Sequence, residues 1–350
     1  IMKPTIGIEE EFIVVDKNYN PVNYKFDDFN EEYYSKEMHQ GVLESKTDIC
    51  FSLLQLKESL YKNRNNAIKE LNKQNFLLMS SGTHPFADWK NIDMVMDNDI
   101  YKEVVNEYGA VARSNYIFGT HIHIGLWDEN LLIPTMNKLI EYIPFFIALA
   151  SNSPFWKGIN SGLNSYRTQV FAKFPRTGIP DTYNSLQEYF EEIEWLFNIG
   201  CLKKKTSIWQ DIRIHPYYKT IEIRCFDNQT NLEELYLLAC LVYSLAFKIA
   251  TNIYENNSFI NKKIIQENKW KAARYGIEAD FITSLNGNIK SFDNYFDDVM
   301  KDLKPIFKKL KIEEEMKYYQ NNINIINGAK QQLKNYKISK ELLLNNLILT

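Results

Sequence analysis

The chain is poor in cysteine and histidine and nearly balanced in charge, and each shortage narrows what it can be. Its four cysteines, Cys50, Cys201, Cys225 and Cys240, lie far apart and form no CxxC pair. That usage fits a reduced cytoplasmic protein better than a disulfide framework. A formal net charge of -3 over 350 residues supplies no basic field. Nucleic acid and anionic membrane surfaces are therefore not expected partners. The start carries Lys3 and Pro4 and reads as no signal peptide. The longest apolar run, Leu235 to Ala250, is interrupted by Ser244 and Lys248 and is too short to cross a bilayer. Glycine-rich signatures are missing too. There is no GxxxxGK[ST], no GxGxxG after a strand, no GxSxG and no HExxH. These absences argue against a P-loop NTPase, a Rossmann dehydrogenase, an α/β-hydrolase and a zincin.

What remains is a chain with 45% hydrophobic and 14% aromatic residues, enough for a sizeable core in one or two domains. Residues 5–15 alternate as a strand, and 76–80 read as a short buried strand. Leu53, Leu56, Leu60, Ala67 and Leu71 recur at helical spacing within 51–74. Residues 92–113, 131–150 and 184–199 read as helices, 116–126 as a strand and 153–182 as a loop. The runs 207–214 and 219–227 predict a hairpin turning at His215-Pro216-Tyr217-Tyr218. From 231 onward the chain reads as mostly helical, with Asn231 as a cap. A helix begun near Asn261 should stop at Gly276. The amphipathic tail 301–350 is expected to cover the outside. Together these predict an α+β fold, a largely antiparallel sheet with helices on one side. Nothing divides 1–350 into two domains.

Five constellations carry chemistry. In Gly7-Ile8-Glu9-Glu10-Glu11-Phe12, strand alternation puts Glu9 and Glu11 on one face and Glu10 on the other. The pair is either a cation platform or a solvated edge, since buried charge survives only when paired or metal-bound. In Gly119-Thr120-His121-Ile122-His123-Ile124-Gly125 the two histidines share a face suited to a metal or a phosphate. The alternative is one histidine bonded within the sheet and one solvated. In Thr220-Ile221-Glu222-Ile223-Arg224-Cys225, Glu222 and Arg224 share a face, as an ion pair or as holders of a metal and a phosphate. Cys225 falls with the core. In Glu37-Met38-His39-Gln40-Gly41-Val42-Leu43-Glu44, alternation makes Glu44 an inward acid. Finally, the loop 155–178 offers Arg167, Lys173 and Arg176 among glycines, a pattern that binds anions or is an ordinary basic surface.

In order, GIEEEF, EMHQGVLES, GTHIHIG, SPFWKGINSGLNSYRT, FPRTGIP, WQDIRIHPYYKTIEIRCFDNQT and ENKWKAARYG occur between about residue 5 and residue 276. This series resembles the glutamate–cysteine ligase type 2, or carboxylate–amine ligase, family. The resemblance implies a glutamine-synthetase-like fold, its antiparallel sheet curved into an active-site funnel with helices on the outer face. It implies ATP-dependent joining of a carboxylate, typically the γ-carboxylate of glutamate, to an amine such as cysteine. By motif position, Glu9, Glu11, Glu44, His121 and Glu222 would hold Mg²⁺ or Mn²⁺. Arg224 would contact phosphate, and Arg167 would lie in the substrate or phosphate loop, with Lys173 and Arg176 as further ATP-binding candidates. His123 or a carboxylate would take the amine's proton. One departure stands out: Glu44 is followed by the charged stretch Lys46-Thr47-Asp48. The competing expectation is a metal-dependent hydrolase built on the same HxH and acids. The tail and sheet edges would allow a homodimer.

Overall fold

Alternation decides the first strand. In β1 (Thr5–Val15) the residues Ile6, Ile8, Glu10, Phe12 and Val14 are buried on one face, while Glu9 and Glu11 lie on the other. The computed structural model of the chain describes residues 2–252 and 261–350. Around β1 runs a seven-stranded antiparallel sheet. Its members are β2 (Tyr34–Lys36), β3 (Val42–Lys46), β4 (Leu77–Met79), β5 (Gly119–Gly125), β6 (Ile212–Ile214) and β7 (Ile221–Asp227). The spatial order is β6-β7-β5-β1-β3-β2, with β4 also pairing β1.

One face of the sheet is apolar and covered by helices. Ile6 and Ile8, Ile122 and Ile124, and Ile221 and Ile223 join a core completed by Leu56 and Leu60, Met136, Phe146, and Leu241 and Leu245. These come from the helices Leu53–Lys73, Leu132–Leu139, Ile143–Leu149 and Leu232–Thr251. Each buried Leu or Ile contributes roughly 1.5–3 kcal/mol of transfer free energy, which fixes which face turns inward. Glu10 is the exception on this face. It is 1% exposed and tied to Arg64 of the first helix at 2.5 Å. Arg64 also donates to the carbonyls of Gln229 and Thr230, so the buried charge is paired as required.

Several expectations need correction. Within 92–113 only Asp99–Tyr108 and Ala110–Arg113 are helical. The preceding stretch is extended because the Gln40 N–H donates to the Asp93 carbonyl and the Val95 N–H to that of Met38. The helix expected at 131–150 is broken by a 3-10 turn at Ile140–Tyr142, with Pro144 opening the second half. The loop 153–182 contains the hairpin strands Phe155–Trp156 and Ile159–Asn160 and a one-turn helix, Arg167–Phe171. The hairpin Asp280–Ile282 and Ile289–Ser291 interrupts the helical C-terminal part. Residues 253–260 of that part lie outside the described residues.

The helix Leu232–Thr251 is, at 20 residues and a mean hydropathy of 1.5, long and apolar enough to cross a membrane. Its burial, not its length, marks it as a core helix, and the apolar stretch Glu129–Leu149 is likewise mostly buried. Asn231 caps the former, and Gly276 at φ 56° ends Lys262–Tyr275 as expected. At the far end Leu349 donates to the Leu78 carbonyl and Ile348 bridges Met79 beside β4.

Candidate active site

The sheet register brings the scattered acids and histidines together. Glu9 pairs with His121 and Gly7 with His123 across β1 and β5. His123 pairs with Glu222 across β5 and β7. Glu11 pairs with Glu44 across β1 and β3. All these side chains project from the face opposite the helices.

Two groups result. In the first, one ligand atom each from Glu9, His123 and Glu222 lies within 4.8 Å of the others. Glu9 meets His121 Nδ1 at 3.1 Å and His123 Nε2 at 3.6 Å. Burial alone would raise the Glu9 pKa, but the two histidine hydrogen bonds outweigh it and hold the carboxyl well below its usual value. Burial, then Arg224, pushes His121 down to about 4. For His123 burial is outweighed by the Glu9 hydrogen bond and the Glu222 charge, and its pKa is raised. Its Nδ1 meets Thr220 Oγ1 at 2.9 Å, while its Nε2 faces Glu9.

Glu222 is 1% exposed and gripped by two guanidinium groups. Arg213 binds it twice, Nε to Oε2 at 2.7 Å and Nη2 to Oε1 at 3.1 Å, while Arg224 Nη1 donates to Oε1. Burial opposes ionisation, but Arg224 and Arg213 overcome it and keep Glu222 ionised.

The second group is Glu11, Glu37 and Glu44, again with ligand atoms within 4.8 Å of one another. Among the described residues, no guanidinium forms an ion pair with it. Burial raises Glu11 to about 7, with Arg167 only partly opposing. Burial, then Glu44 and Glu11, pushes Glu37 well above the usual carboxyl range. Burial and Glu9 raise Glu44, despite Lys46 at 3.5 Å. Three crowded oxygen donors that resist ionisation are what a hard divalent cation would relieve, so this set fits Mg²⁺. The first set fits less simply, because both Glu222 oxygens are already held by arginines. His121 stands outside both groups.

A small cavity beside the second group is lined by Glu11, Glu37, His121, Arg167 and Arg224. A larger one of about 600 Å³, bordered by Lys25, Lys36, Lys90 and Arg113, shares His39 with it. Arg167 is 3% exposed. The other two loop cations are elsewhere. Lys173 is exposed and lines neither cavity. Arg176 donates to the Ser207 carbonyl and the Tyr108 hydroxyl and lies over the Trp209 ring.

The model of glutamate-cysteine ligase family 2 matches residues 5–341. A protein provisionally named glutamate–cysteine ligase 2 in Solibacter usitatus (strain Ellin6076) is 34% identical over 340 residues, covering 94% of this chain and 88% of its own length. The chain belongs to glutamate-cysteine ligase family 2. A similarly named protein of Sorangium cellulosum (strain So ce56) is also 34% identical, over 79% of this chain and 77% of its own length. Among solved structures, the glutamate–cysteine ligase of Francisella tularensis in complex with AMP superposes with a TM-score of 0.76 at 13% identity, covering 99% of this chain and 88% of that one. A bifunctional glutathione synthetase from Pasteurella multocida gives 0.72 at 12% identity, covering 99% of this chain and 51% of that one. These two structures establish the expected glutamine-synthetase-like fold.

As a member of glutamate-cysteine ligase family 2, the protein is an ATP-dependent carboxylate–amine ligase. The hydrolase reading of the same residues finds no support in this family. Two residues at the site escaped the sequence reading. Glu37 follows β2 and reaches Glu44 because the chain turns back at Gly41, whose φ of 74° and close approach to the Val22 carbonyl demand glycine. Reading 34–46 as a hairpin would have found it. Arg213 sits opposite Glu222 in the β6–β7 register, which the hairpin prediction at 207–227 already contained.

Proposed function

We propose that the enzyme joins the γ-carboxylate of glutamate to the amine of cysteine or another amino compound through an acyl phosphate. The observation that carries this is the crowded trio Glu11, Glu37 and Glu44, two of which, Glu11 and Glu37, line one cavity with Arg167 and Arg224. Anions need cations in such a place, and acids need a metal.

In this reading Glu11, Glu37 and Glu44 hold Mg²⁺, with Mn²⁺ as a substitute, and Glu9, His123 and Glu222 offer a second position beside His121. Bound metal would supply charge neutralisation for the nucleotide phosphates. The larger cationic cavity is the nearest roomy volume for ATP. The glutamate γ-carboxylate oxygen attacks the γ-phosphorus and the bond to the β-phosphate oxygen breaks, releasing ADP. Arg224 and Arg167 stabilise the charge on the transferring phosphoryl group, which needs positioning more than covalent help. The amine then attacks the acyl carbon, an amide bond forms, and inorganic phosphate departs. The amine's proton goes to His123 or a neighbouring carboxylate. His123 Nε2, 3.6 Å from the Glu9 carboxylate that would steady the resulting imidazolium, is the favoured acceptor. The four free cysteines agree with a cytoplasmic setting.

The test is ADP release by purified protein with Mg-ATP and glutamate across a panel of amines that includes cysteine, with product masses read in parallel. ADP release requiring both acid and amine, with a product of summed mass less water, is the expected result. No ADP release with any pair would overturn the reading.

A further inference from the structure

We propose that Asp227 is a positioning residue for Arg167, acting through Ser153 and Ser165. The inference rests on the ligase reading for its catalytic consequence, but its structural part stands alone.

Strict alternation along β7 would send residue 227 to the helix-covered face with Ile221, Ile223 and Cys225. The register against β5 shifts between Ile223 and Phe226. Cys225 and Phe226 therefore both join the helix-side core, and Asp227 turns to the site face. A bulge that re-aims one side chain is a recurrent device near active sites.

There the carboxylate is 1% exposed and fully occupied. Oδ2 accepts the Asn152 N–H at 2.8 Å and the Ser153 hydroxyl at 2.6 Å, and Oδ1 accepts the Ser165 hydroxyl at 2.8 Å. Ser153 Oγ in turn accepts the Arg167 N–H at 3.1 Å. One carboxylate thus clamps both ends of the 153–165 loop and the first residue of the helix that follows. Space is reserved for it, since a Cβ on Gly82 would lie 2.6 Å from Asp227 Cγ.

The guanidinium of Arg167 is held differently. It lies 5.7 Å over the Phe171 ring and, among the described residues, donates only to the Arg224 carbonyl, at 3.4 Å from Nη1 and Nη2. Its buried Nε has no partner. It passes so close to β5 that a Cβ on Gly119 would lie 2.1 Å from Nη2. Among the described residues, no carboxylate bonds it. Asp227 supplies opposite charge nearby and fixes the backbone, yet leaves the donors of Arg167 for an incoming anion. Preorganised donors of this kind are what transition-state charge stabilisation requires.

The experiment is a double-mutant cycle on the full chain, with Asp227→Asn, Arg167→Ala and the pair, read as ADP release and melting temperature, together with a crystal structure of Asp227→Asn. Misplacing a catalytic group by about 1 Å costs on the order of 100-fold. Asp227→Asn should lose about that much in kcat/KM for the acid substrate, and nothing further once Arg167 is alanine. Its structure should show the Arg167 guanidinium displaced. Losses that multiply in the double variant, or an undisplaced guanidinium, would overturn the proposal. Should Asp227→Asn fail to fold, Ser153→Ala removes only the relay and carries the same cycle and structure. A wild-type protein that releases no ADP would sink the ligase reading instead, and the guanidinium position would still decide the positioning role.

Discussion

Glu11 and Glu44 stand directly opposite each other in the antiparallel register of β1 and β3. Like charges so placed destabilise a sheet, by up to about 1 kcal/mol per pair, and Glu37 adds a third acid to the same spot. A fold keeps such a cluster only where something binds it. Glu44→Gln should therefore raise the metal-free melting temperature and shrink the further rise that Mg²⁺ gives the wild type, while turnover falls at least about 100-fold, the usual trade of function against stability. Thermal unfolding with and without Mg²⁺, beside ADP release, checks this. A variant less stable than the wild type without metal would contradict it.

Glu222 separates two arginines that look alike in the sequence. Arg213 binds it through two nitrogens and also donates to the Thr206 and Ile208 carbonyls. Arg224 makes one bond to it and lines the cavity. Stripping a partner from a buried ion pair costs about 3–5 kcal/mol. Arg213→Ala should show most of that loss in its urea midpoint. Arg224→Ala, which leaves Glu222 paired, should keep more stability and lose ATP turnover. The reverse ranking of stabilities would undo this division of labour.

The residues read correctly from sequence are those whose placement is local. Alternation within single strands separated Glu9 and Glu11 from Glu10, and grouped His121 with His123 and Glu222 with Arg224. What escaped depends on long-range register. Glu37 needs the turn at Gly41, and Arg213 needs the pairing of β6 with β7. Lys173 and Arg176 were plausible anion binders by composition, but the Tyr108 hydroxyl and Trp209 ring that occupy Arg176 lie 68 and 33 residues away along the chain. The extended stretch before Asn98 was missed for the same reason, since its partners are Met38 and Gln40.

Cys225 lies two residues before Asp227 and one after Arg224, yet it packs with the core at 3% exposure, and burial pushes its thiol pKa well up. It is a small apolar side chain in this setting, not a nucleophile. Cys225→Ser would bury a hydroxyl in place of the thiol, at a cost of about 1–3 kcal/mol. The melting temperature should fall with turnover per folded molecule unchanged. Lost turnover at an unchanged melting temperature would return Cys225 to the list of chemical groups.

His84 sets an acid limit on the fold from outside the site. Its Nε2 donates to the Tyr19 carbonyl at 2.9 Å, and its Nδ1 accepts the N–H groups of Phe86 and Ala87 at 3.2 and 3.0 Å. Protonating Nδ1 would break both of the latter, and burial pushes the pKa down to about 4. The unfolded chain, near 6.5, takes up a proton first as pH falls. The stabilisation is thus complete above 6.5 and is lost progressively down to about 4, on the order of 3 kcal/mol in all. His39, His121 and His215, also near 4 through burial, act in the same window, so the measurement must isolate His84. His84→Asn keeps an acceptor for the two N–H groups but cannot titrate. It should flatten the decline of the urea midpoint between pH 6.5 and 4 by about that amount. A slope equal to that of the wild type across this window would mean that His84 takes up its proton at the same pH in the folded and unfolded chains.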